Sequence, residues 1–275
     1  MSFTTADVVK LRKVTGAGMM DCKGALKDAE GDFDRALEII RERGKLIANK
    51  RADRDAAEGV VLAKVTADNK FGAIIVLNCE TDFVAKNDKF VAFADSILNI
   101  ALANKADNLE TLNGLDFDGR TVETQVTEQT GVIGEKLALS YYNCFNAETT
   151  IGYIHPGNKL ATLVGFNKAE VAIQVAKDIA MQVAAMAPVS IDKDAIPQEV
   201  IEKEIEIAKE KFRQEGKPEA MLDKIAQGSL NKWYKDVTLL NQTYVKDGKI
   251  SIKEFLKQND SELTVTAFDR YSLNA

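Results

Sequence analysis

Two stretches of this sequence write one pattern twice. EGVVLAKVTADNKFGAIIVLNCE (58–80) reads as two β-rich runs about the turn ADNK, and the amphipathic helix KFVAFADSILNIALAN (89–104) follows. TTIGYIHPGNKLATLVGFNK (149–168) is again two runs about a turn, PGNK, with the helix EVAIQVAKDIAMQVAAMA (170–187) after it. A chain that repeats hairpin and helix in this way is constrained to an α+β core built from a duplicated antiparallel-sheet-plus-helix unit. Aligning Asn69 and Lys70 with Asn158 and Lys159 sets the hairpins 89 residues apart, whereas aligning Ala94 with Ala176 sets the helices 82 apart. The first copy therefore carries seven extra residues between its second strand and its helix, in or beside TDFVAKN. Residues added to a unit that folds without them are expected to be a functional loop.

Other segments flank and interrupt this core. The first 45 residues read as three short helices, closing at Gly16, Gly31 and Gly44, which makes an N-terminal unit over 1–45. The basic stretch RERGKLIANKRADR (41–54) then leads away from it, and 46–57 is expected to be a solvated linker. A first core subdomain is expected over 58–140, with a helix near 120–130 and an extended run after it, and a second over 141–275. Inserted in the second is PQEVIEKEIEIAKEKFRQEGKPEAMLDKIAQGSLNKWYKD (197–236), two helices about GKP. Val200, Ile201, Ile205, Ala208 and Phe212 are expected to face Met221, Leu222, Ile225, Ala226 and Trp233 in a projecting antiparallel coiled-coil hairpin. The chain closes with a short strand and helix in KISIKEFLKQND and a final strand in LTVTAFDRYSL.

Composition removes several function classes. The formal charge of −6, from 42 acidic and 36 basic residues without a long run of one sign, runs against direct nucleic-acid binding, which draws its affinity from neutralised phosphates. No apolar stretch reaches the roughly 20 residues needed to span a bilayer, and MSFTTADVVKLRK lacks a signal core, so a cytoplasmic protein with reduced thiols is expected. Cys22, Cys79 and Cys144 stand apart with no CxxC between them, which supports neither a zinc site nor a thioredoxin motif.

Two signatures resemble chemistry without carrying it. NKAD (104–107) and DFDG (116–119) match short GTPase patterns, but in reversed order and without the phosphate-cradling GxxxxGK[ST] loop. The single histidine, His155, could pair with Cys79 as base and nucleophile of a hydrolase, yet nothing else supplies an oxyanion stabiliser. Glu80, Asp82 and Asp88 lack the regular alternation of a calcium loop. Phe83, bare between Asp82 and Val84, is open to two readings: a residue folded back beside Phe90 or Phe93, or an aromatic anchor for a partner.

Five ordered motifs carry a resemblance. LRKVTGAGMMDCKGAL and EGDFDRALEIIRERG, then NCETDFVAKNDKF, YIHPGNKLATLVGF and GKPEAMLDKIAQGSLNKWYKDVTLLNQTYV, are together similar to the bacterial translation elongation factor Ts family over essentially the whole chain. The resemblance implies a guanine-nucleotide exchange factor, and not an enzyme, for elongation factor Tu, the GTPase that delivers aminoacyl-tRNA to the ribosome. It implies an N-terminal unit similar to a ubiquitin-associated domain, docked on the nucleotide domain of the GTPase. It also implies that Thr81, Asp82, Phe83 and Val84 intrude near the magnesium and phosphates of that partner. Leu11, Arg12, Gly16, Met19, Met20, Ile133 and His155 match positions in or near the partner surface. The resemblance brings no cofactor or metal of the chain's own, and the family includes both homodimers and factors that bind one to one. FDRYSLNA departs from it, with Asn274 where the family often has glycine. A binding-only adaptor or chaperone-like scaffold is the alternative to an exchange factor.

Overall fold

The computed structural model describes residues 3–274. Its N-terminal unit is made of α1 (Thr5–Thr15), α2 (Met19–Asp28) and α3 (Phe33–Lys50). Thr4 and Asp7 form a reciprocal capping box that starts α1, and Asp32 caps α3 through the Arg35 amide. Val8, Leu11, Cys22, Ala25, Leu26 and Ala36 fill a small core between the three helices.

The first sheet contains β1 (Glu58–Val65) and β2 (Phe71–Cys79), followed by α4 (Asp82–Ala85), α5 (Asp88–Asn104), α6 (Leu109–Gly114) and α7 (Val122–Ile133), and then β3 (Ala138–Asn146). The second has β4 (Thr149–Ile154) and β5 (Leu160–Phe166), followed by α8 (Ile173–Met186), α9 (Gln198–Gln214), α10 (Glu219–Val237) and α11 (Ile252–Asn259), and closes with β6 (Val265–Ser272). Both sheets are antiparallel, in the orders β1-β2-β3 and β4-β5-β6. The third strand of each copy thus returns to the same edge of its hairpin.

The duplication is visible at atomic level. Asn69 and Asn158 both take the left-handed conformation, at φ 55° and 56°. The Val61 amide donates to the Asn158 carbonyl at 2.7 Å, and the Thr150 amide, 89 residues beyond Val61, donates to the Asn69 carbonyl at 2.5 Å. Each hairpin turn therefore fastens to the first strand of the other copy. Val61, Ala63, Ile74, Val76 and Ala161 are buried where the sheets meet. On the outer faces, α5 buries Ala94, Ile97, Leu98 and Ala101, and α8 buries Ala176, Ile179, Ala180 and Val183, the same positions shifted by 82.

Several sequence-based boundaries move. The boundary at 140/141 falls inside β3, because that strand completes the first sheet by pairing with β2. Helix α3 continues through Gly44 to Lys50, which removes the first part of the linker expected over 46–57. Gly44 is a packing glycine and not a helix stop: α7 crosses it so closely that a Cβ on Gly131 would overlap the Gly44 Cα. In the α9–α10 pair, Ala208, Leu222, Ala226, Leu230 and Tyr234 are buried, but Val200 and Met221 are exposed and take no part in the seam. The strand expected in KISI is only an isolated bridge, Thr243 to Ser251, ahead of the capping box that starts α11.

Candidate functional site

The inserted residues do not form an open loop. Between Cys79 and Val91 lie eleven residues, whereas four separate their counterparts Lys168 and Ile173. The excess folds as the single turn α4 and the beginning of α5. Thr81 caps α4, its hydroxyl accepting from the Val84 amide, while the Ala85 amide donates to the Thr81 carbonyl at 3.2 Å. Ala85 is buried and Val84 packs on the main core, so the turn is anchored along one side. Phe83 points the other way and is 83% exposed, so it does not fold back onto Phe90 or Phe93.

Two carboxylates brace the turn from below. Glu135 accepts from the Thr81 amide at 3.0 Å and from its hydroxyl at 2.7 Å. Glu80 accepts from the Lys136 amide at 2.6 Å, so the pairs Glu80–Thr81 and Glu135–Lys136 bind each other reciprocally. Gly134, left-handed at φ 81°, ends α7 and turns the chain into this brace. Arg51, just past α3, closes on both Glu80 oxygens at 2.7 and 2.9 Å, and Arg54 stands 3.5 Å away. The Lys136 amide first, and then these guanidinium groups, hold the Glu80 carboxyl below the usual carboxylate range. Lys136 itself donates to the carbonyls of Ala52 and Arg54.

Above the brace, Asp82 pairs with Lys86 at 2.6 Å on the exposed side of α4, and that ammonium keeps the Asp82 carboxyl below its ordinary value. A cavity of about 260 Å³ on one side of α4 is lined by Gly16, Val84, Phe90, Phe93, Val132 and Ile133. A second, of about 610 Å³, is lined by Asp82, Lys86, His155 and Lys159 among others. The first cavity thus places Gly16 and Ile133 beside Val84, and the second places His155 beside Asp82; Phe83 lines neither. Ile133 is half-buried, and the His155 ring is exposed, its Nδ1 lying 3.0 Å from the Tyr153 hydroxyl.

The N-terminal candidates divide. Arg12, Met19 and Met20 are exposed, Met20 to 73%, whereas Leu11 is fully buried and is a core residue of the unit. The sequence reading missed Arg51, Glu80, Glu135 and Lys136 as a group. The basic stretch 41–54 is not merely solvated: Arg41 reaches Glu128 at 3.9 Å while Arg51 and Arg54 hold Glu80. The one available signal was the pair of carboxylates beside TDFV and beside Gly134, which nothing in the sequence places together.

The fold also places the other short signatures among the described residues. Burial, followed by the charge of Glu135, pushes the Cys79 thiol up to about 12, and its Sγ donates to the Thr81 carbonyl. Buried Cys79 and exposed His155 form no dyad. NKAD runs from the last residue of α5 into the loop after it, where the Ala106 carbonyl receives the Tyr142 hydroxyl, and DFDG is a turn with Asp118 and Gly119 left-handed. Among the described residues, no acidic, histidine or cysteine cluster could hold a metal ion, and no helix is long and apolar enough to cross a membrane.

Residues 80–275 match the family model described as elongation factor TS. The chain is 51% identical to elongation factor Ts of Azobacteroides pseudotrichonymphae, with 100% of this chain and 99% of that protein covered. It belongs to the elongation factor Ts family. It is also 52% identical to elongation factor Ts of Christiangramia forsetii, with 98% of each chain covered. Against elongation factor Ts of Porphyromonas gingivalis it is 50% identical over the full length of both. The family model begins at Glu80, so it spans the braced turn and strands β3 to β6 of the core, while these relatives carry the match through the N-terminal unit of an elongation factor Ts protein.

Proposed function

We propose that this chain is a cytoplasmic guanine-nucleotide exchange factor that binds elongation factor Tu, in its GDP-bound and nucleotide-free states, and expels GDP by mechanical contact. The observation that carries the reading is Phe83, 83% exposed on a turn whose base is fixed by Glu135 and Glu80. A large aromatic held out on a rigid support loses little conformational entropy when it enters a partner pocket. A GTPase holds its nucleotide through backbone amides and a lysine around the phosphates, with magnesium bridging them to the protein. Phe83 wedges between helices of the partner beside that loop, Asp82 disturbs the hydrogen bonds on the magnesium side, and Thr81 and Val84 hold the turn in place. Exposed Arg12, Met19 and Met20, on a unit of the ubiquitin-associated type, supply a second contact, with Gly16, Ile133 and His155 between the two.

Factor and nucleotide then weaken one another by the same factor, so incoming GTP releases the exchange factor. No covalent bond changes on this chain, and it uses no cofactor. The test is release of a fluorescent GDP from elongation factor Tu in stopped flow, with the factor substoichiometric. Release is expected to accelerate with turnover, and Phe83→Ala, folded as judged by its melting curve, is expected to slow it about tenfold, or about 1.4 kcal/mol. Tight binding without acceleration would leave a non-catalytic adaptor, and an unchanged Phe83→Ala rate would remove the wedge.

A further inference from the structure

The N-terminal unit and the α4 turn come from opposite sides of the linker, yet one continuous set of contacts joins them. Helix α3 lies on α7 at the Gly44–Gly131 crossing, where neither backbone can retreat without opening the seam. Beside that crossing Glu128 of α7 takes Arg41 of α3 and also Arg120, whose own Nε is buried without a hydrogen-bond partner. Gly16 at the end of α1 packs against Val132, where an added Cβ would stand 3.3 Å from Cγ1. About two turns past the crossing, α3 ends and Arg51 grips Glu80, the residue before the cap of α4. Helix α7 ends nearby at Gly134, and Glu135 holds Thr81. Both helices of the seam therefore deliver their C-terminal residues to the base of the same turn.

Solubility would not require this convergence. Seven residues, Arg51 to Ala57, separate α3 from β1, and such a short tether would keep the N-terminal unit nearby even if it were undocked. The seam and the Arg51–Glu80 pair add a fixed orientation. Two contact points at a fixed spacing engage one partner with less entropy lost than two points on a swivel, and the second point arrives already aligned. We propose, on the exchange reading above, that Arg51 and Glu80, together with the Gly44–Gly131 crossing, are positioning residues. They hold the N-terminal unit and the Phe83 turn as one rigid two-point clamp. The N-terminal unit anchors the factor, and the brace aims Phe83.

This division of labour separates the kinetic parameters. Arg51→Ala removes the two-oxygen grip on Glu80 and leaves Glu80 the Lys136 amide and the more distant Arg54. The turn therefore stays folded while its tie to the end of α3 is weakened to Arg54 and the Lys136 ammonium. Gly131→Ala opens the crossing itself. For both variants the maximal rate of GDP release at saturating factor is expected to fall about tenfold, with the half-saturating concentration changed less than about twofold. Arg51→Lys, which keeps a cation near Glu80, is expected to recover most of the rate. A variant that is merely unstable would instead lower the fraction of active factor, seen as a reduced titration end point with the rate per active molecule intact. Amide hydrogen exchange shows whether the tie has opened, as faster exchange in residues 44–50 with α1 and α2 still protected.

Wild-type factor that accelerates release, alongside an Arg51→Ala variant with faster exchange at 44–50 and an undiminished maximal rate, would overturn the clamp and leave the exchange reading standing. The same holds if the half-saturating concentration rises while the maximal rate stays put. Wild-type factor that fails to accelerate release at all would overturn the exchange reading, and the clamp with it.

Discussion

The two copies of the core unit share a scaffold and differ at their junctions. Each places an asparagine in the left-handed region at its hairpin turn, hangs the turn on the first strand of the other copy, and buries the same four positions of its long helix. The first copy adds α4 between its second strand and that helix. The second runs through Asn167 to Ala172 at the same point and carries its addition later, as the α9–α10 pair between α8 and β6. Duplication thus preserved what the sheets need and left each junction free to diverge. An exposed phenylalanine is tolerated at the first because the residues around it, Thr81, Val84 and Ala85, are tied into the core.

The strongest way to break this comparison is to make the first junction as short as the second. Deleting residues 82–88 removes the seven-residue excess while keeping Glu80 and Thr81 in their brace. GDP release is expected to fall at least about a hundredfold, on the order of 3 kcal/mol, because Phe83 and Asp82 leave together. Losing the packing of Val84 and Ala85 is expected to cost about 2 kcal/mol of stability. Far-ultraviolet circular dichroism should still report both sheets and α5. A chain that fails to fold would show that the excess is structural in this copy, and retained exchange would move the activity elsewhere.

How much of this was legible beforehand depends on the range of the interaction. The two offsets, 89 and 82, located the insertion because hairpin turns and helix faces are set by local chemistry and repeat faithfully. Phe83 stood out for the same reason, as an apolar residue with no periodic partners. The brace was illegible: Arg51 and Glu80 are 29 residues apart, and Thr81 and Glu135 are 54 apart, so only the fold makes neighbours of them. Gly44 misled because glycine near the end of a helical pattern usually marks a stop, and nothing local announces that Gly131 will lie against it. Leu11 misled in the opposite way, since a partner-surface match does not tell a core position from an exposed one.

A milder test sharpens the likeness of the copies. Asn69 and Asn158 occupy the same backbone conformation and offer the same carbonyl to the opposite strand. Asn69→Ala and Asn158→Ala are each expected to cost about 1 kcal/mol, the penalty for a Cβ in the left-handed region without a local hydrogen-bonding side chain. Glycine at either position should be close to neutral. Equal losses in urea melts would confirm that the turns do the same work in both copies, whereas one large and one negligible loss would show that only one turn depends on its asparagine to hold the left-handed conformation.

The smallest effect lies in the pH dependence of the brace, which only the first copy has. Glu80 is held below its ordinary value of 4.5 in the folded chain, first by the Lys136 amide and then by Arg51. A carboxyl depressed by folding contributes stability at pH values above its unfolded pKa, and that contribution is lost as the pH falls through the lower folded value. Glu80→Gln keeps an acceptor for the amide but has no charge for Arg51, so it should melt below wild type at about pH 7. The gap should narrow in acid as the pH falls through the lowered folded value and Glu80 itself becomes protonated. A gap that stays constant across this range would mean that the charge of Glu80 is immaterial and that the brace rests on hydrogen-bond geometry alone.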